Sequence, residues 1–213
     1  MANVVANSST SNIPTGYKIP ELPEISPNNN VQEQLPQTDK ASQKKAEAVL
    51  PARLDFVHVF EPWAFRENEM PKYSVTLIIS KNDSDTIQKV QSAISQAYEN
   101  GKSKLQNTEM KDVHSPLRDG DLERPDNPAY RNCWFINATN NGRFGAPAVC
   151  DRQKNVITDI NQLYSGVWGN VYVSFKAYSV GDSKVIGCYL NAVQKTKDDV
   201  IIVGVADPFA AFN

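Results

Sequence analysis

The chain has 213 residues, and 22 lysines and arginines against 24 aspartates and glutamates give a formal net charge of -2 at pH 7, with 40% of residues hydrophobic. That length suggests one domain, or one domain plus a tail, of an ordinary globular protein. No apolar run reaches the roughly 18 residues of a membrane span, and Met1–Ser11 lacks the basic and apolar regions of an export signal. Cys133, Cys150 and Cys188 are odd in number, widely spaced and form no CxxC pair. They indicate neither a disulfide framework nor a zinc knuckle, and a reducing cytoplasm fits them best. Near-zero net charge excludes a uniformly basic coat but leaves room for a local basic groove balanced by acids elsewhere.

The first fifty residues are rich in Pro, Asn, Ser and Gln and hold one aromatic, Tyr17. Such a segment buries too little apolar surface to offset the entropy of ordering it. Residues 1–50 are therefore expected to be a disordered leader, with a short frayed helix over Thr38–Val49 as its one candidate element. The folded domain is expected over 51–205 and a short tail over 206–213. Leu54–Phe60 and Tyr73–Ile79 read as two strands in antiparallel pairing, joined by a loop with Pro62 and Pro71. His58 shares a strand face with Leu54, Phe56 and Phe60 in that pattern, which makes it an interior histidine. Ile87, Val90, Ile94, Ala97 and Tyr98 recur at helical spacing after the capping candidates Asp83 and Ser84, and Gly101 is expected to close the helix with positive φ.

A polar stretch, Lys102–Asn132, leads to a strand over Cys133–Ala138 and a turn region over Asn141–Pro147. The strongest strands follow, Val167–Tyr178 and Lys184–Gln194, turning at Gly181-Asp182, and a last short strand is expected over Val200–Val203. The fold class is mainly β with one or two helices: a small antiparallel five-stranded β-barrel with an inserted helix and a long loop, with a β-sandwich as the competing architecture.

Strand Val167–Tyr178 separates cleanly at period two. Val167, Gly169, Val171, Val173, Phe175 and Ala177 make a core face. Trp168, Asn170, Tyr172, Ser174, Lys176 and Tyr178 make a face of rings with a cation, on which nucleobases can stack while the ammonium meets phosphate. The same face would serve equally in a homodimer interface, or beneath a covering loop. Further cations and rings lie in the connections: Trp63, Phe65 and Arg66 after the first strand, Lys72 and Tyr73 entering the second, then Arg118, Arg124, Tyr130, Arg131, Trp134, Arg143, Phe144 and Arg152. Arginine suits phosphate because its planar fork gives bidentate hydrogen bonds and also stacks on bases. Arg118 and Arg124 have a competing use as partners of Asp119, Asp121, Glu123 and Asp126.

Those acids match no EF-hand spacing, the histidines form no HxxxH or HExxH, and no phosphate loop, GxGxxG or GxSxG occurs. No catalytic residue, metal or cofactor is therefore expected. Beyond Lys197 the chain holds Asp198, Asp199 and Asp207 and no base, and Phe209 and Phe212 could make a partner-docking peptide.

Phe60-Glu61-Pro62, Lys72–Ile79, Leu117–Asp121, Arg124-Pro125-Asp126, Tyr164-Ser165-Gly166 and Gly187–Gln194 stand in an order that resembles a family of bacteriophage single-stranded DNA-binding proteins, over about Ala52 to Asp207. The resemblance implies an OB-fold that coats single-stranded DNA in phage replication, recombination or repair, in the cytoplasm of the infected host and without nucleotide hydrolysis. It also implies phage replication or recombination proteins as partners of the C-terminal tail, although Asp207–Asn213 is only mildly acidic. A metal-dependent nuclease built on the acidic loop and a virion or interaction protein without DNA binding are the alternatives from other classes.

Overall fold

The computed structural model describes residues 44–64 and 66–203. Seven strands run in chain order: β1 (Glu47–Trp63), β2 (Lys72–Ser80), β3 (Arg118–Asp119), β4 (Cys133–Asn140), β5 (Ala148–Cys150), β6 (Trp168–Val180) and β7 (Ser183–Lys197). Helix α1 (Ser84–Gly101) follows β2, and a single turn, α2 (Gly120–Glu123), precedes β4. β1 pairs antiparallel with β6 over Glu47–Arg53 and with β2 from Arg53 onward, so one long strand serves both sides of the sheet. β2 continues antiparallel into β4, and β6 into β7. A parallel pairing at Thr139 and Tyr189 joins β4 to β7 and closes β1, β2, β4, β7 and β6 into a five-stranded barrel. Closure leaves these strands without an open edge, and this connectivity is that of an OB-fold.

The barrel is filled from both halves of β1 and from its neighbours, with Leu50, Leu54, Leu77, Ile136 and Val171 fully enclosed. α1 covers one mouth with Val90, Ile94 and Ala97. Its N-terminus is capped by Asp83, whose carboxylate accepts from the Thr86 N–H at 3.1 Å. Every core position read from Val167–Ala177 is buried, because period two holds along β6 without interruption at those positions.

Four expectations need correction. β1 begins at Glu47, inside the segment read as leader, because Ala48 and Leu50 already pair with β6; the frayed helix therefore fails over 47–49, and 38–43 lie outside the described residues. Gly101 does not close α1 with positive φ: the C-cap is Lys102, in right-handed helical conformation. Glycine is required there by proximity, since a Cβ would stand 2.3 Å from the Ala177 Cβ. Val200–Val203 is no strand but an extended strap, held when Arg53 donates to the Val200 carbonyl at 2.6 Å and the Ile202 N–H donates to the Ser165 carbonyl at 2.9 Å.

His58, read as interior, faces outward. Asp55 pairs with Thr76 but His58 with Ser74, so β1 spends three steps where β2 spends two. This bulge at Phe56 reverses the alternation: Leu54 and Val59, five positions apart, both point inward. Of the turn residues, Gly181 takes φ +55° in the two-residue β6–β7 hairpin, as its place in the sequence suggests.

Gly101→Ala tests the helix-to-barrel contact. Alanine gains about 1 kcal/mol over glycine in a helix, whereas forcing a methyl into a packed contact costs about 1–3 kcal/mol. Net destabilisation is expected in urea unfolding, and a stabilised variant would show that the contact yields freely.

Candidate nucleic-acid interface

The outer face of β1, β2 and β4 is divided in two. Over one half, the turn 120–131 lays Tyr130 on Ile78 and Phe135, and Tyr130 and Phe135 are fully buried, edge to face at 5.4 Å. Asp55, 3% exposed, accepts from the Tyr130 hydroxyl at 2.7 Å. That hydroxyl in turn accepts from Arg124 at 3.0 Å. Burial, reinforced by Asp55, pushes the Tyr130 hydroxyl far above its ordinary range, so it remains a donor to the carboxylate. Arg124 does not pair with the acids of its loop; its guanidinium stacks 4.6 Å from the Tyr130 ring and 5.0 Å from the Phe56 ring.

The other half is open. A recess of about 510 Å³ is bordered by Phe56, His58, Trp63, Met70, Lys72 and Thr139. A second, of about 550 Å³, is bordered by Arg118, Asn137, Tyr178, Gly187 and Tyr189, and shares Lys72, Asn137 and Thr139 with the first. Together they make one groove across β1, β2, β4 and the β6–β7 hairpin. Its walls are rings: His58 stacks on Trp63 with centroids 5.0 Å apart and planes 10° apart. Tyr178 lies across Gly187, where a Cβ would stand 2.7 Å from the ring. Lys176 sits with its ammonium 5.1 Å from the Tyr189 ring. The second and third barrel strands with the loops that follow strands one and four are the oligonucleotide-binding side of OB-folds. Here those strands are β2 and β4, and the loops are 64–71 and the hairpin turn 181–182.

Of the residues singled out from sequence, Lys72 and Tyr178 line this groove and Lys176 adjoins it through Tyr189. Arg66 is exposed in the 64–71 loop. Arg143 and Phe144 are exposed in the β4–β5 loop beside Asn141, with the guanidinium 5.6 Å from the ring. Trp168 and Tyr172 sit elsewhere on β6, Trp168 roughly 33 Å along the strand from Tyr178 at about 3.3 Å per residue. The Trp168 indole donates to Asp199 at 2.7 Å, and the Tyr172 hydroxyl to Glu47 at 2.6 Å. Trp134 lies under the Lys81 ammonium at 5.0 Å, with exposed Arg131 three residues before it. Arg152 is exposed in the turn after β5, and Phe209 and Phe212 lie outside the described residues.

The acidic loop is turned inward on cations. Lys81 donates to Asp119 at 2.7 Å and Asp121 at 2.7 Å, bonds that raise the lysine pKa and lower that of Asp121. Arg118 and Glu123 form an ion pair. Trp63, one of the rings singled out after the first strand, lines the groove, whereas sequence reasoning missed Phe56, His58 and Tyr189. The first two were hidden by the bulge, which has no signature in an apolar run, and Tyr189 by a parallel pairing between strands distant in sequence.

A family model described as the single-stranded DNA-binding protein of Enterobacter phage Enc34 matches residues 46–213. The chain belongs to this family of phage single-stranded DNA-binding proteins. Comparison with curated proteins finds no match. Among solved structures, the bacteriophage Enc34 single-stranded DNA-binding protein in complex with single-stranded DNA is 23% identical, with a TM-score of 0.62 over 74% of this chain and 88% of that one. A second structure of the same phage protein gives 22% identity and a TM-score of 0.60, over 78% of this chain and 89% of that one. The bacteriophage T7 single-stranded DNA-binding protein gp2.5 is 13% identical, with a TM-score of 0.51 over 78% of this chain and 94% of that one. At these identities the likeness is one of fold, and it agrees with the closed barrel.

Burial lowers the His58 pKa from its ordinary 6.5, so the folded protein resists a proton that the unfolded chain accepts. Stability is therefore expected to fall as pH drops through about 6.5 towards the lowered value. Urea midpoints measured between pH 8 and pH 5 should show this fall, and His58→Gln should flatten it.

Proposed function

We propose that this phage single-stranded DNA-binding protein holds its strand in the groove between the β1–β2 side and the β6–β7 hairpin. Bases stack on Phe56, Trp63, Tyr178 and Tyr189, and phosphates meet Lys72, Lys176 and the loop cations Arg66 and Arg143. The observation that carries this reading is the sharing of Lys72, Asn137 and Thr139 by two ring-lined recesses on the β2–β4 face. A single strand with splayed bases can reach rings on both walls, whereas a duplex keeps its bases stacked inside.

The strand is bound without chemistry, and Asp119 and Asp121 support that reading because both carboxylates are committed to Lys81. The setting is phage DNA replication in the host cytoplasm. No helix among the described residues is long and apolar enough to cross a membrane. Recruitment of replication proteins through Phe209 and Phe212 is part of the same reading and rests on the sequence of the tail.

Fluorescence anisotropy with a labelled oligothymidine of about thirty nucleotides, a matched duplex and varied salt tests the proposal. Preference for the single strand is expected. Trp63→Ala should weaken binding by roughly 5- to 150-fold, since a stacked base is worth about 1–3 kcal/mol. Lys72→Ala should reduce the magnitude of the log–log salt slope by about 0.7, one phosphate's worth of counterions. Trp168→Ala and Tyr172→Ala should leave affinity near wild type. If they weaken it while the groove variants do not, the strand lies along β6 instead.

A further inference from the structure

We propose that Phe56 is a preorganised base-stacking station in the groove, with Arg124 as its cationic backing and Asp55, Tyr130 and Ser165 as positioning residues. The inference rests on the groove being the DNA site and names which ring in it has been built for a base.

The first observation is conformational. Phe56 has φ +48°, in the left-handed region that bulky residues avoid. Its ring gains little burial in exchange, being 49% exposed at the border of the recess. Glycine or asparagine would satisfy a bulge here more cheaply. A strained backbone carrying a half-exposed aromatic therefore points to work done by the ring outside the fold.

The second observation is that the strain is held from several sides. The Phe56 N–H donates to the Asp55 carboxylate at 2.8 Å and to the Ser165 hydroxyl oxygen at 3.0 Å. The other oxygen of Asp55 accepts from Tyr130 at 2.7 Å, Tyr130 accepts from Arg124 at 3.0 Å, and the Arg124 guanidinium returns to the Phe56 ring at 5.0 Å. The chain of contacts leaves the Phe56 backbone and comes back to its side chain. Asp55 and Tyr130 are buried, so neither relaxes into water. Ser165 is fixed in turn: its carbonyl accepts from Ile202 at 2.9 Å, and the next residue, Gly166, donates to the Leu54 carbonyl at 2.7 Å.

The chemistry follows from that geometry. With its backbone held and the Arg124 guanidinium against its ring, Phe56 has less freedom to lose when a base stacks on it, so affinity comes at reduced entropic cost. The guanidinium behind the ring adds a positive charge near the strand without competing for the stacking partner. A stacked base presents its π-face and not its hydrogen-bonding edge, so the station tolerates any base but demands an unpaired one.

Phe56→Gly is the decisive variant, because glycine removes the ring and accepts the left-handed φ. Thermal unfolding should show an unchanged or raised Tm. Affinity for oligothymidine should fall at least tenfold, while affinity for an abasic deoxyribose-phosphate strand of the same length stays constant. Ser165→Ala should weaken oligothymidine binding in the wild-type background and have no effect in the Phe56→Gly background. Unchanged affinity in Phe56→Gly, with Trp63→Ala and Lys72→Ala still weakening binding, would overturn the station and leave the groove standing. Unchanged affinity in all three would remove the groove itself. A lowered Tm with equal loss on the abasic strand would assign Phe56 to the fold, and equal loss from Ser165→Ala in both backgrounds would remove Ser165 as a positioning residue.

Discussion

The extra residue at Phe56 sets the geometry of this protein. A strand repeats every two residues, so one inserted residue exchanges the two faces of everything beyond it. Before the bulge β1 sends Leu50, Ala52 and Leu54 inward; beyond it Val59 points inward, and His58 joins the outer wall. Without the insertion His58 would point into the barrel; a second irregularity, between His58 and Trp63, then resets the register of the end of β1 against Lys72. Barrels admit such a device because a bulge also sharpens local twist, which a closed sheet of few strands needs.

The buried pair Asp55 and Tyr130 decides how much of the outer face stays open. A carboxylate this deep is costly unless its lone pairs are met. Here the Tyr130 hydroxyl and the Phe56 N–H meet them, so no buried side-chain polar atom is left without a partner among the described residues. Tyr130 brings the turn 120–131 with it, and that turn seals Ile78 and Phe135. Arg124, at the margin of the sealed half, touches both sides, with Tyr130 and Phe135 beneath it and Phe56 beside the recess. The network that stabilises the lid and the edge of the groove are one structure.

Charge is sorted in the same way. The chain is nearly neutral, yet several acids are committed away from the groove: Asp119 and Asp121 to Lys81, Asp198 to Lys195, Glu47 to Tyr172 and Asp199 to Trp168, whereas Glu123 pairs with Arg118 at the groove border and Glu69 lines the first recess. Lys72 forms no ion pair among the described residues and stands where the two recesses meet. A polyanion approaching this face meets Lys72 with no acid paired to it among the described residues, a local cation of the kind that near-zero net charge leaves possible.

Period-two alternation in Val167–Tyr178 and the helical repeat before Gly101 are local patterns, and the sequence determines them, because each side chain's direction depends on its own strand or helix. The ordered blocks that mark the family are equally a property of the sequence. What the strands do beyond their own alternation was decided only in three dimensions. The bulge arises from register against β2, the closure from Thr139 meeting Tyr189, the need for Gly101 from the approach of Ala177, and the burial of Asp55 from a tyrosine far along the chain. Trp168 and Tyr178 share a face in the sequence and in the strand, yet only Tyr178 lines the groove. A face of one strand becomes a site through the neighbours that flank it, and those neighbours are set by long-range pairing that no local pattern encodes.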